Sequence, residues 1–189
     1  MLNLGTIMIA VSFLWLGSEI ALTRMRHSQP MDAQFDRFSI RKLWITIFIS
    51  VNLGVLIGLQ RIGHFEPGSR IFPIAGITLI VCGLVVRWFA ILSLKHQFTV
   101  DVSIRKNHRM IKEGLYRFVR HPAYAGSLLS FLGLGLYFSN CLSLLIIIVP
   151  ICVAFLHRVQ IEEEVLIHAF GREYLDYCAS TKRFIPGIF

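Results

Sequence analysis

Two short stretches of this chain concentrate the residue types that do chemistry. One is Gly114-Leu-Tyr116-Arg-Phe-Val-Arg120-His121-Pro122-Ala123-Tyr124-Ala-Gly126, and the other is Arg158-Val-Gln-Ile-Glu162-Glu163. Together they offer cations, carboxylates, an imidazole and phenols, a set able to bind a charged ligand, orient a reactant or move a proton. Arg158 and Glu162 are four residues apart, so on a helix they share a face. Pro122 suits the first turn of a helix and leaves neighbouring backbone N–H groups as donors. His121 has no metal-ligand array beside it, since His108 and His157 complete neither an HxxxH nor an HxxE pattern. A plain alternative stays open: an interfacial salt-bridge cluster that anchors helices would gather the same charges.

The elements that position these stretches are apolar. Hydrophobic residues make up 55% of the 189 residues and charged residues 16%, and the mean hydropathy is +0.65. A water-soluble domain of this size needs more polar surface, so lipid must cover part of the exterior. Five apolar segments emerge, at about 2–22, 43–59, 71–94, 124–138 and 142–156, with Pro73 in the first turn of the third. The last two are separated only by Ser139-Asn140 and predict a tight helical hairpin that returns both chemical stretches to one interface. The first apolar run lacks a basic n-region and reads as a retained membrane helix rather than a signal peptide. Fold class is therefore all-α integral membrane, with residues 1–94 as N-terminal transmembrane helices and 95–189 as a catalytic region.

The net charge of +8 sits in blocks between the spans. The 23–42 loop carries Arg24, Arg26, Arg37, Arg41 and Lys42. The 95–122 loop carries Lys95, Arg105, Lys106, Arg109, Lys112, Arg117 and Arg120. The positive-inside rule makes both loops cytoplasmic, with the N-terminus outside and the tail inside. No basic helix or aromatic-basic platform remains to read nucleic acid. Cys82, Cys141, Cys152 and Cys178 show no metal or disulfide spacing and read as small hydrophobes. Arg87, well inside the third span, marks either a function or partner, or an arginine snorkelling to the interface. Glu19, near the inner end of the first span, has the option of reaching water or a basic group, and Gly54-Val-Leu-Ile-Gly58 suggests close helix packing. The tail predicts a helix over 161–177, with Leu166, Phe170, Tyr174 and Tyr177 on one stripe, three glutamates at its start and Gly171 interrupting it.

At these residues the sequence resembles the isoprenylcysteine carboxyl methyltransferases. His108-Arg-Met-Ile-Lys-Glu-Gly114-Leu-Tyr116-x3-Arg120-His121-Pro122-x-Tyr124-x-Gly126 is similar to that family's cofactor motif. Arg158-x3-Glu162-Glu163-x2-Leu166-x3-Phe170-Gly171-x2-Tyr174-x2-Tyr177, followed by Arg183 and Pro186, is similar to its C-terminal motif. The resemblance spans about 95–186, and Met110-Ile111 stands where the family commonly has Leu-Val. It implies S-adenosyl-L-methionine held by His108, Arg109, Met110, Ile111, Tyr116, His121, Pro122, Ala123, Tyr124 and Glu162. It further implies that Arg158 faces a lipophilic methyl acceptor, a prenylated cysteine or lipid-like carboxylate. Arg183 is taken as a second acceptor contact, and Arg158, Glu162 and Glu163 as the catalytic set. Three other readings share parts of the pattern: a phospholipid N-methyltransferase, a sterol-reductase-like NADPH enzyme, and a membrane scaffold without catalysis. Membrane lipids are expected partners, and nucleic acid is not.

Overall fold

The computed structural model describes residues 3–25, 37–60, 63–65, 69–94 and 110–187. Among them are six α-helices: α1 (Leu4–Met25), α2 (Arg37–Gly58), α3 (Ile71–Leu94), α4 (Pro122–Tyr137), α5 (Cys141–Phe170) and α6 (Arg172–Ser180). A single 3-10 turn, Gly114–Arg117, precedes α4. Four of the helices, α1, α2, α3 and α5, are long and apolar enough to cross a membrane. Their outward faces carry exposed Phe13, Leu14, Phe48, Leu56, Phe89, Leu92 and Val153, a surface suited to lipid rather than water. The chain is an integral membrane protein, as its composition predicts.

The expected fourth span is α4. At 16 residues it is about 24 Å long, less than the roughly 30 Å hydrocarbon core, and it is enclosed by its neighbours. The expected fifth span and tail helix are one element. No helix breaker lies between Leu156 and Phe170, so α5 continues for 30 residues until Gly171, whose φ of 54° only glycine adopts readily. The helix predicted over 161–177 is thus split at Gly171 between the end of α5 and the short α6. This long α5 carries Arg158, Glu162 and Glu163 on a rigid rod.

Small residues set the helix spacing. A Cβ on Gly76 would stand 2.6 Å from the Gly133 carbonyl oxygen, and one on Gly126 would stand 2.6 Å from the Gly83 oxygen. Backbones of α3 and α4 therefore touch at two points one heptad apart, and Ser130 Oγ donates to the Ile80 carbonyl at 3.2 Å between them. Gly54 and Gly58 of α2 do pack closely, against Ile147 and Phe138 respectively. Ser143 Oγ adds a bond to the Gly54 carbonyl at 2.8 Å. The core of Met8, Leu43, Ile80, Phe131, Leu134, Ile147, Ile151 and Phe155 joins α1 to α5.

The α4–α5 hairpin turns through Ser139, at φ 49°, and Asn140. Asn140 caps α5 by accepting from the Ser143 N–H at 3.0 Å, and it is fully buried. Here the α2–α3 connection lies against the turn, with the Phe65 N–H donating to the Ser139 carbonyl at 3.1 Å. The functional residues gather at the opposite end of the hairpin.

Candidate active site

Pro122 starts α4 and His121 is its N-cap residue. The His121 side chain makes no cap bond to this helix, so the first-turn N–H groups receive no acceptor from it. The segment before it is held from two directions. The Tyr177 hydroxyl of α6 donates to the Tyr116 carbonyl at 2.5 Å, and the Tyr116 hydroxyl reaches the Ala90 carbonyl of α3 at 3.5 Å. Backbone N–H groups of Arg120 and His121 donate to the carbonyls of Lys182 and Arg183 at 2.7 and 3.1 Å. The chain after α6 is thereby stitched alongside the motif before α4. Burial pushes the Tyr177 phenol up to about 12 and raises Tyr116 and Tyr174 well above the ordinary tyrosine value, so all three act as uncharged groups.

Glu163 is the hub of the charged cluster. One carboxylate oxygen accepts from Arg120 Nε at 2.9 Å and lies 3.3 Å from His121 Nε2. The other accepts from Arg183 Nε at 3.0 Å and Nη2 at 2.7 Å, and this bond raises the Arg183 pKa. Arg120 also donates to the Cys178 carbonyl at 3.1 Å and to the Thr181 carbonyl. Burial to 8% exposure makes this a low-dielectric knot, in which every polar group needs its partner. The sequence motif contains Arg120 without indicating a role for it, because its partners Cys178 and Thr181 lie 58 and 61 residues away and meet it only in the fold.

A second cluster sits on the same turn of α5. The Tyr124 hydroxyl donates to Glu162 Oε2 at 2.9 Å and accepts from Arg158 Nε at 3.4 Å. Arg158 is only 2% exposed, whereas the Glu162 side chain keeps 29%. His121 Nδ1 is 3.9 Å from Glu162 Oε1, too long for a hydrogen bond. The rings of His121, Tyr124 and Phe155 line up beside these groups, with centroids 5.8 and 5.3 Å apart in succession.

Most of the sequence-derived site residues thus meet: Tyr116, His121, Pro122, Ala123, Tyr124, Arg158, Glu162, Glu163 and Arg183. Met110 and Ile111 are half-buried just ahead of the 3-10 turn. His108 and Arg109 lie outside the described residues. The two motifs do form ion pairs with each other, as the salt-bridge alternative requires. That alternative accounts for Glu163 and its basic partners, but it does not require Glu162 to stay partly exposed beside the start of α4.

Residues 71–173 match the phospholipid methyltransferase family, more than half of the chain and all of α3 to α5. The chain belongs to this family. Among similar curated proteins, protein-S-isoprenylcysteine O-methyltransferase B of Arabidopsis thaliana is 32% identical over 59% of this chain and 57% of its own length. The protein-S-isoprenylcysteine O-methyltransferase of Saccharomyces cerevisiae is 31% identical over 62% of this chain and 50% of its own. That of Dictyostelium discoideum is 28% identical over 81% of this chain and 68% of its own. The chain spans about half the length of the first two. Its fold resembles the solved structure of a eukaryotic intramembrane Ras methyltransferase, an isoprenylcysteine carboxyl methyltransferase. The TM-score is 0.56 at 24% identity, covering 80% of this chain and 52% of that one. The membrane fold and the family read from the two motifs are both borne out.

Proposed function

We propose that this family member is an S-adenosyl-L-methionine-dependent carboxyl O-methyltransferase acting on a lipophilic carboxylate of the isoprenylcysteine type. The observation that carries the reading is the Arg158–Tyr124–Glu162 arrangement: a buried guanidinium and a partly exposed carboxylate joined through one phenol, beside a helix start that the His121 side chain does not cap. The residues present fit the donor. The first-turn N–H groups of α4 suit its carboxylate, Glu162 suits its ammonium or ribose hydroxyls, and Met110, Ile111 and Tyr116 offer apolar surface. When bound, S-adenosyl-L-methionine supplies a methyl group on a positively charged sulfur. The side chains of this protein then act mainly by positioning and by electrostatics.

In this reading Arg158 holds the acceptor carboxylate, which its planar fork matches in geometry and charge. Such a carboxylate is ionised at neutral pH, its ordinary pKa being about 4, so no residue has to remove a proton. Glu163 keeps His121, Arg120 and Arg183 in place, and Arg183, two-thirds covered, extends the basic surface toward the acceptor. An isoprenoid chain lies among the lipid-facing helices while the polar donor enters from water. The basic 23–42 and 95–122 loops support a cytoplasmic site and an outside N-terminus. The similar curated proteins, named for isoprenylcysteine O-methylation, support the ester product.

A second reading draws on His121. Its Nε2 lies on Glu163 and its Nδ1 points toward Glu162, the setting of an oriented base. An amine acceptor, as in phospholipid N-methylation, needs such a base. Purified protein given labelled S-adenosyl-L-methionine separates the two: N-acetyl-farnesylcysteine yields base-labile, methanol-releasing label under the first reading, and phosphatidylethanolamine yields stable label under the second. Folded protein without saturable donor binding refutes both.

A further inference from the structure

Arg87 lies within the membrane-spanning part of α3, and its partners come from two other helices. Its Nε stands 2.8 Å from Glu19 Oε1, and its Nη2 donates to Glu19 Oε2 at 2.8 Å. The ion pair joins α3 to α1 through one hydrogen bond at Nη2, while Nε stays close to the second carboxylate oxygen without hydrogen-bond geometry. Nη1 donates to Ser127 Oγ at 2.6 Å and reaches the Ala123 carbonyl at 3.5 Å, both in the opening turns of α4. Gly126 makes room for this approach, because a Cβ there would stand 2.7 Å from the Arg87 backbone nitrogen. Ala123 immediately precedes Tyr124, whose hydroxyl joins Arg158 to Glu162. A line of direct contacts therefore runs from Glu19 through Arg87 to the turn that carries Tyr124.

Contact between α3 and α4 does not depend on this pair, and α1 also packs into the core through Met8 and Trp15. The glycine contacts and Ser130 already hold α3 against α4. A charged pair at membrane depth is costly, and replacing a buried pair with apolar residues is often neutral or stabilising. What the pair adds is orientation: the hydrogen bond at Nη2 and the close charge contact at Nε constrain where Nη1 points.

We propose that Glu19 is a positioning residue for methyl transfer. By locking Arg87 against Ala123 and Ser127, it fixes the first turn of α4 and so the Tyr124 hydroxyl between Arg158 and Glu162. The inference rests on the proposed function, and it makes α1 part of the site's support rather than a simple anchor.

Glu19→Gln keeps volume and removes the charge. With saturating donor, its kcat/KM for the acceptor falls by roughly tenfold or more, the scale of a sub-ångström misplacement at a reacting centre. Glu19→Asp recovers part of that loss. Because both changes act through one hydroxyl, Glu19→Gln/Tyr124→Phe is no slower than Tyr124→Phe alone. A second readout needs no turnover: 3-fluorotyrosine placed at position 124 gives a fluorine resonance that shifts or broadens in Glu19→Gln. Arg87→Lys, which keeps the charge and loses the fork, gives the same two results if Glu19→Gln does not fold. Fully additive rate losses, or an unchanged fluorine resonance, overturn the proposal. If the wild-type protein methylates no acceptor, the functional reading fails, and the fluorine resonance still decides the positioning role.

Discussion

Replacing Glu163 with glutamine tests whether the cluster is organised around one carboxylate. The substitution keeps the shape and leaves one oxygen acceptor in place of two charged ones. Arg183 then loses the target of both of its bonds, or Arg120 and His121 lose theirs, since the amide nitrogen cannot accept. Glu163 is 8% exposed and Arg120 is 10% exposed, so solvent does little to compensate. Breaking a buried pair by removing one partner costs about 3–5 kcal/mol. At about 2–4 °C per kcal/mol for a chain of this size, the apparent unfolding temperature drops by about 6–20 °C. Arg183→Ala serves as the comparison. Its side chain is 32% exposed, and Glu163 keeps two other partners, so about 1 kcal/mol is lost. Thermal unfolding of purified protein in one detergent, followed by circular dichroism, measures both. A hub predicts that Glu163→Gln is much the more damaging. Equal losses, or a Glu163→Gln protein that unfolds within about 2 °C of wild type, would show that the cluster is a set of independent surface pairs.

Arg158→Lys replaces a planar fork with a point charge. Losing one charge-assisted bond of about 1.5–3 kcal/mol lowers acceptor kcat/KM by about 10- to 150-fold, while donor affinity changes little in equilibrium binding. Gly83→Ala drives a Cβ to 2.5 Å from the Gly126 carbonyl oxygen, so α3 and α4 must part and the protein unfolds at lower temperature by about 1–3 kcal/mol of overpacking. Tyr177 favours its protonated form in the folded state, from the ordinary 10.0 up to about 12. The unfolded chain therefore releases that proton first, so stability is full below pH 10 and declines as pH rises toward 12. Tyr177→Phe flattens that alkaline decline in pH-dependent unfolding, and an identical slope in both proteins would refute the assignment.

Membrane residence was legible from composition, because apolar length and charge placement are local properties that survive without coordinates. The hairpin was equally legible, since Ser139-Asn140 leaves no room for another connection and brings Arg120–Tyr124 back to Arg158–Glu163. Pairing of Arg158 with Glu162 on one face followed from helical spacing alone. The tertiary structure decided which partners those residues keep. Glu163 and Glu162 are neighbours in sequence with the same chemistry, yet a helix sends adjacent side chains about 100° apart. One becomes a buried hub for three basic groups and the other stays partly open beside Tyr124. Arg87 carried two open readings until α1 was docked and Glu19 met it, an encounter across 68 residues that no local pattern encodes. The same holds for Gly76 and Gly83 facing Gly133 and Gly126: each glycine is unremarkable in its own helix, and its purpose appears only when a second backbone comes within contact distance. Sequence determined the medium, the elements and the chemical inventory of this protein. Long-range packing decided which charges are neutralised and which are left to meet a ligand, because burial and pairing belong to the assembled helices rather than to any one of them.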